Sequence, residues 1–151
     1  MDSPATSLMV AVSRAAGRPL HPYNTDDMVT MQNGCDILNH WGHGPEFRFT
    51  KCLRCPHSLD LGKLFMATDT IDGSSGETHV PDGDVRSLSE ILSKGSEYST
   101  AYAAVLVAID HNPGLDLGSV KDMVSRIYPE VSETLDEVVS SVAERMGPVR
   151  E

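Results

Sequence analysis

From residue 84 onward, apolar side chains recur at the three- and four-residue spacing of helices that bury one face. Asp84 and Ser132 stand where helix N-caps are expected, and Gly95 and Gly147 stand just beyond two helix ends. The spacing therefore predicts four helices in series whose apolar stripes pack into a core. The stripes are Val85, Leu88, Ile91 and Leu92; Tyr98, Tyr102, Val105, Leu106 and Ile109; Val120, Met123, Val124 and Ile127; and Leu135, Val138, Val139, Val142 and Met146.

The N-terminal segment predicts a short helix followed by a loop. Ser3 as N-cap, Pro4 in the first turn and Gly17 after the last turn predict a helix over about residues 4–16. Residues 18–34 are rich in proline, asparagine and glycine, which punctuate regular structure. We therefore expect a loop or linker there.

Two short strands and a linker are predicted in the middle of the chain. Phe47–Lys51 alternates apolar and polar residues, as half-buried strands do, and Leu64–Ile71 is a candidate second strand. The polar, glycine-containing stretch 72–83 predicts a linker. Together these patterns predict an α+β protein in four parts. They are an N-terminal helix and loop (1–34), a β module (35–71), a linker (72–83) and a helical domain (84–151).

All three cysteines and three of the six histidines lie between residues 35 and 57. Cys52 and Cys55 have the two-residue spacing with which a zinc knuckle turns two thiolates onto one ion. Because mixed thiolate and imidazole ligands suit zinc, we expect zinc as a cofactor in a closed, structural site. The predicted ligands are Cys35, His40, Cys52 and Cys55, with His43 or His57 as alternatives to His40.

The same segment resembles small zinc ribbons, through the positions Cys35, His40, Trp41, Cys52 and Cys55. The resemblance implies a β module held together by its metal. Two features depart from ribbons: the four-residue gap between the first cysteine and histidine, and a proline after the second knuckle cysteine where ribbons usually have glycine. The alternative without metal is three free thiols and surface histidines around a buried tryptophan.

The net charge of −10, from 22 acidic and 12 basic residues, disfavours nonspecific nucleic-acid binding because the protein as a whole repels phosphate. Between residues 47 and 63 the balance reverses, with four basic residues against one acid. We therefore expect any nucleic-acid contact at this basic island. Its candidate residues are Arg48, Lys51 and Arg54.

No apolar run approaches the roughly 18 residues that a membrane-spanning helix needs. Leu8–Val12 is too short for the core of a signal peptide and follows an acidic residue instead of basic ones. We therefore expect an intracellular protein, cytoplasmic or nuclear, without a membrane partner. In that environment its cysteines are expected as thiols or metal ligands instead of disulfides.

Residues 98–151 resemble a winged helix-turn-helix domain. The resemblance rests on the order of a first helix, the turn at Asn112–Gly114, a second helix over Val120–Ile127, a third helix to Met146 and the stretch Gly147–Arg150. It implies that the third helix is a recognition helix and that the last stretch begins the wing. This helix carries four carboxylates, which disfavour contact with DNA phosphates. They are Glu133, Asp136, Glu137 and Glu144.

These features predict a small zinc-binding regulatory protein connected with transcription, which binds DNA or a larger transcription complex. The alternative is an accessory or adaptor factor that uses its acidic last helix to contact a protein partner or to form a homodimer. The chain carries none of the short motifs of hydrolases, deaminases or nucleotide-binding enzymes. We therefore expect no enzymatic activity and no catalytic residues.

Overall fold

The computed structural model describes residues 3–52 and 54–146 of the chain. These residues form seven α-helices and a short 3-10 helix, and the β pairings among them are two isolated bridges, Leu20–Ile71 and Thr50–His57. The prediction of an α+β protein with a metal-pinned β module is therefore wrong, because the fold is all-helical. The helices are α1 (Pro4–Ala16), α2 (Thr25–His40), α3 (Leu59–Met66), α4 (Asp82–Ser93), α5 (Ser96–His111), α6 (Leu117–Ile127), the 3-10 helix (Pro129–Thr134) and α7 (Leu135–Met146).

The helix predicted over residues 4–16 and the four helices predicted from amphipathic stripes are confirmed. In α1 the Ser3 hydroxyl accepts a hydrogen bond from the Thr6 amide (3.1 Å), and Gly17 ends the helix in the left-handed conformation. The four predicted C-terminal helices correspond to α4, α5, α6 and α7. Two predicted N-caps are wrong, because Asp84 lies inside α4 and Ser132 lies in the 3-10 helix before α7. Each of the four helices buries part of its apolar stripe, which is why the period was visible in the sequence.

The predicted loop over residues 18–34 is wrong in its second half, because α2 begins at Thr25. The Asn24 side chain caps this helix by accepting a hydrogen bond from the Asp27 amide (2.9 Å). Gly34 lies inside the helix and faces α1, where a Cβ atom would come within 2.6 Å of a Val12 methyl group. This glycine therefore permits a close approach of two helices and does not form a turn.

The two predicted strands are also wrong. Phe47–Lys51 contributes only the single bridge between Thr50 and His57. Most of the second predicted strand belongs to α3 or the turn that follows it. There Ser58 caps the helix by accepting from the Leu61 amide (3.2 Å), and Leu61 and Phe65 bury one face at four-residue spacing. The apolar residues of a helix were thus misinterpreted as those of an extended strand.

The hydrophobic core draws on both halves of the chain. Its buried members include Leu8, Leu38, Phe65, Tyr102 and Leu135, which belong to five different helices. Helix α5 packs against α2, α4, α6 and α7, and α1 packs against α2 and α4. The division of the chain into four parts stays a sequence-based prediction.

The winged-helix assignment is wrong. Its proposed first helix is α5, the central helix of the bundle, in which Tyr98–Leu106 are buried without a gap. Helix α7, the proposed recognition helix, packs against α5, α6 and the 3-10 helix. The expected start of the wing, Gly147–Arg150, lies outside the described residues.

None of the helices in the described part of the chain combines the length and the apolar character required to cross a membrane.

Candidate functional site

The structure places Cys35 inside the hydrophobic core. The residue is fully buried on α2, and its Sγ lies 3.8 Å from the Met31 sulfur one turn earlier. Burial raises the pKa of this thiol far above its ordinary value, and the neighbouring Asp36 raises it further. Cys35 is therefore a packing group of the core.

The three histidines of the predicted metal site have three separate partners. His40 Nδ1 lies 3.0 Å from Oδ1 of Asp110, and His43 Nε2 lies 2.6 Å from Oδ2 of Asp84. His57 is half-buried, which lowers its pKa, and its Nε2 is 3.4 Å from the side-chain nitrogen of a buried glutamine on α2. Each imidazole thus faces a different element of the fold.

No group of three or more His, Cys, Asp or Glu side chains suited to a metal ion occurs in residues 3–52 and 54–146. The prediction of a metal-binding zinc module is therefore wrong, because the cysteines and histidines that suggested it are divided between a core helix and a surface loop. Zinc as a cofactor of the chain stays a prediction.

The predicted nucleic-acid residues Arg48, Lys51 and Arg54 are all exposed, but each lines a different cavity. Arg48 lines a polar cleft beside α2 and α5, whereas Lys51 borders an apolar groove between α5 and α6. Arg54 lies in a third cavity that also contains Glu97 and Glu130. The structure therefore does not unite the three cations on one surface, and nucleic-acid binding by them stays a prediction.

A polar cleft of about 530 Å³ lies against α2 and α5, and we call it the α2–α5 cleft. Helix α2 contributes residues 36, 39 and 40, and α5 contributes residues 107, 110 and 111. Both sets have the spacing that places side chains on one helix face. The lining consists of Asp36, Asn39, His40, Gly42, Glu46, Phe47, Arg48, Phe49, Val107, Asp110 and His111.

Asn39 fixes the third wall of the cleft, which is the segment after α2. Its side-chain nitrogen donates to the carbonyls of His43 (2.8 Å) and Pro45 (3.0 Å). Its side-chain oxygen accepts from the Phe47 amide (2.7 Å). One half-buried side-chain amide therefore holds the chain in the path that brings the two phenylalanines of this segment to the cleft.

Asp36 is the most unusual group of the cleft. The residue is 3 % exposed, and its Oδ2 has no hydrogen-bond partner among the described residues. Burial raises the pKa of this carboxyl well above its usual range, and the negative charge of Asp110 raises it further. Burial therefore favours the neutral form of the Asp36 carboxyl group in the cleft. Asp110 at the rim is half-exposed and paired with His40.

Sequence reasoning singled out two residues of this lining, His40 as a metal ligand and Arg48 as a nucleic-acid contact, and missed the others, Asp36 among them. The available signal was the four-residue spacing of Asp36 and His40, which matters only once α2 is known to be a helix.

Comparison of the chain with models of protein families, with curated proteins and with solved structures found no match. The predicted zinc module and winged helix are contradicted by the fold, and no related protein supports the predicted role in transcription regulation.

Proposed function

We propose that this protein binds a small organic cation in the α2–α5 cleft, as a binding protein without enzymatic activity. The observation that carries the proposal is the Asp36 carboxyl group, which lines the cleft and has a buried oxygen without a partner among the described residues. A buried polar atom without a hydrogen bond costs about 1–3 kcal/mol. A ligand that donates to this oxygen would recover that free energy.

The charges of the cleft favour a cationic ligand. Asp36, Glu46 and Asp110 contribute three carboxyl groups, and Arg48 is the one permanently charged cation in the lining. The whole chain carries a net charge of −10, which attracts cations from a distance. An ammonium or amidinium group at Asp36 would form a desolvated ion pair once the carboxyl group gives up its proton.

The apolar part of the lining suits a ligand with a flat or aliphatic body. Phe47 and Phe49 form part of one wall and Val107 part of another. Aromatic faces attract cations as well as apolar groups. The volume of about 530 Å³ lies within the range of pockets for small organic molecules.

The proposal implies that binding depends on pH. Since burial holds the pKa of Asp36 well above its usual range, the free protein must lose a proton before the carboxylate can pair with a cation. Below that pKa, each added pH unit is expected to raise the affinity by up to about tenfold, and above it the affinity levels off. A neutral ligand of the same shape would show no such rise.

The test is an NMR titration of the ¹⁵N-labelled full chain with benzylamine, benzyl alcohol and benzoate. We expect benzylamine to shift amide signals of residues that line the cleft, more strongly at pH 8 than at pH 6. Asp36→Asn should abolish this response, whereas Asp122→Asn, an exposed residue of α6, should retain it. Equal responses to benzylamine and benzyl alcohol, or shifts confined to other surfaces, would contradict the proposal.

The sequence-based hypothesis of an adaptor that contacts its partner or a second copy through the last helix stays a proposal. The carboxylates of Asp136 and Glu137 are exposed on α7, but they form ion pairs with Lys121 and Lys94 of the same chain. Sedimentation velocity of the full chain tests the homodimer, which predicts a concentration-dependent increase in sedimentation coefficient.

A further inference from the structure

The loop that carries Cys52 and Cys55 is closed by a pair of backbone hydrogen bonds. The Thr50 amide donates to the His57 carbonyl, and the His57 amide donates to the Thr50 carbonyl, each at 3.0 Å. This reciprocal exchange is the hydrogen-bonded pair of an antiparallel ladder. The two cysteines lie within the six residues that this pair encloses.

The closed loop keeps the two cysteines near each other. They are three positions apart, and the bridge between Thr50 and His57 holds both ends of the segment that contains them. A disulfide requires Cα atoms about 4.4–6.8 Å apart, a span that residues at this spacing cover when the chain turns back on itself. The thiols are close enough for the Cys52 sulfur to contribute to the raised pKa of Cys55.

The two thiols differ in accessibility. Cys52 is exposed, whereas Cys55 is 4 % exposed. The Cys52 amide donates to the hydroxyl of the buried Tyr128 (3.2 Å), which anchors the loop to the C-terminal helices. One thiol is thus available to a reagent in solution, and the other is protected behind it.

The surroundings of the exposed thiol favour an anionic reagent. Lys51 and Arg54 flank Cys52 and are both exposed. On a chain of net charge −10 these two cations near Cys52 offset part of the repulsion that a small disulfide carrying carboxylates would meet. Within the described residues no third ligand joins the two thiols in a metal-binding group.

We propose that Cys52 and Cys55 form a reversible disulfide, which makes the loop between Thr50 and His57 a thiol–disulfide exchange site for small disulfides. The Cys52 thiolate attacks one sulfur of the external disulfide, forms a mixed disulfide and releases one thiolate. The Cys55 thiolate then attacks the Cys52 sulfur and releases the second thiolate. Two electrons pass from the protein to the reagent, and the two protein protons end on the two released thiols.

Burial raises the pKa of Cys55 to about 12; the negative charge of the Cys52 thiolate raises it further, and Arg54 lowers it. The second step therefore requires loss of a proton that is held tightly at neutral pH. We expect the mixed disulfide to form first and to resolve faster as the pH rises.

The test is equilibration of the full chain in glutathione buffers of graded oxidation, followed by thiol alkylation and peptide mass spectrometry. Trypsin cleaves after Lys51 and Arg54, so that the two cysteines fall on separate peptides. We expect these peptides to be disulfide-linked in oxidising buffers and separate in reducing ones. Cys35→Ser should leave this result unchanged, because that thiol lies in the core.

Two variants test the order of the steps. Cys55→Ser should retain one glutathione as a mixed disulfide at Cys52, and Cys52→Ser should retain none. Three results would overturn the proposal: both thiols of the folded wild-type chain staying reduced in every buffer, disulfides forming only between chains, or a tightly bound metal that protects both thiols from alkylation.

Discussion

Helices α2 and α7 show why one part of the fold was visible in the sequence and another was not. Helix α7 buries one face and exposes the other to solvent, so its valines recur at helical spacing. Helix α2 is buried from Met31 to Leu38 without a gap, and polar residues lie among the apolar ones. Amphipathic spacing therefore identified α7. It did not identify α2, in which polar side chains are buried among the apolar ones and Asn33 and Gly34 suggested a loop.

Two polar side chains of α2, those of Gln32 and Asn33, make hydrogen bonds inside the protein that offset part of the cost of their burial. Gln32 clamps Ser58 by accepting from its amide (2.8 Å) and donating to its carbonyl (3.1 Å). Asn33 donates to the hydroxyls of Thr100 (2.9 Å) and Ser99 (3.4 Å) on α5. These contacts are as specific as the apolar packing of α7, and they predict larger losses when a single side chain is changed.

The largest effect is expected for Gln32→Leu, which leaves a buried amide and a buried carbonyl of Ser58 without the side chain that pairs with them. We expect a loss of about 2–4 kcal/mol in the free energy of unfolding. Urea denaturation followed by circular dichroism measures it. Ser140→Leu puts the same new side chain on the exposed face of α7 and should change stability by less than about 0.5 kcal/mol. Similar losses in both variants would remove the distinction between the two helices.

The second effect concerns glycines within helices. At Gly34 a new Cβ would lie 2.6 Å from Val12, so Gly34→Ala should destabilise the protein by about 1–3 kcal/mol through overpacking. At Gly118 on α6 the nearest atom would be 3.6 Å away, and Gly118→Ala should stabilise by about 0.5–1 kcal/mol. Thermal denaturation of both variants tests the opposite signs. A stabilising Gly34→Ala would mean that α1 and α2 separate without cost.

These contrasts also define how much of the molecule the sequence could predict. The helix over residues 4–16 and the four C-terminal helices followed from caps and stripes, and all five are present. The candidate cleft did not follow, because it depends on α2 and α5 lying side by side. Asp36 and Asp110 are 74 positions apart, and no local pattern indicates that they share a cavity. The spacing of the cysteines indicated proximity of Cys52 and Cys55, but it could not show that Cys35 faces the core.

The third prediction uses the pH dependence of stability to compare a buried carboxyl group, that of Asp36, with an exposed one. The raised pKa of Asp36 means that the folded protein holds a proton that the unfolded chain has already released. Stability should therefore fall as the pH rises above the ordinary carboxyl value of about 4, until the folded group itself ionises. Asp36→Asn should reduce that slope, and the exposed Asp122→Asn should leave it unchanged. Urea denaturation at pH 5, 6, 7 and 8 measures the slopes, and a parallel set of curves would contradict a buried neutral carboxyl.

The smallest effect on stability is expected at the surface of α7, where the charged side chains are exposed to solvent. Lys94 Nζ lies 3.0 Å from Glu137, and Asp136 pairs with Lys121, but both lysines are largely solvated. Exposed ion pairs lose their Coulomb attraction to water and salt, and holding two long side chains together costs entropy. Asp136→Asn and Glu137→Gln should therefore leave the Tm unchanged within the error of a scan, in low salt and in high salt. A clear drop in Tm at low salt only would show that the ion pairs with the two lysines stabilise the acidic face of α7. Side-chain contacts on α7 would then contribute to stability as those of the buried α2 do, only by a smaller amount.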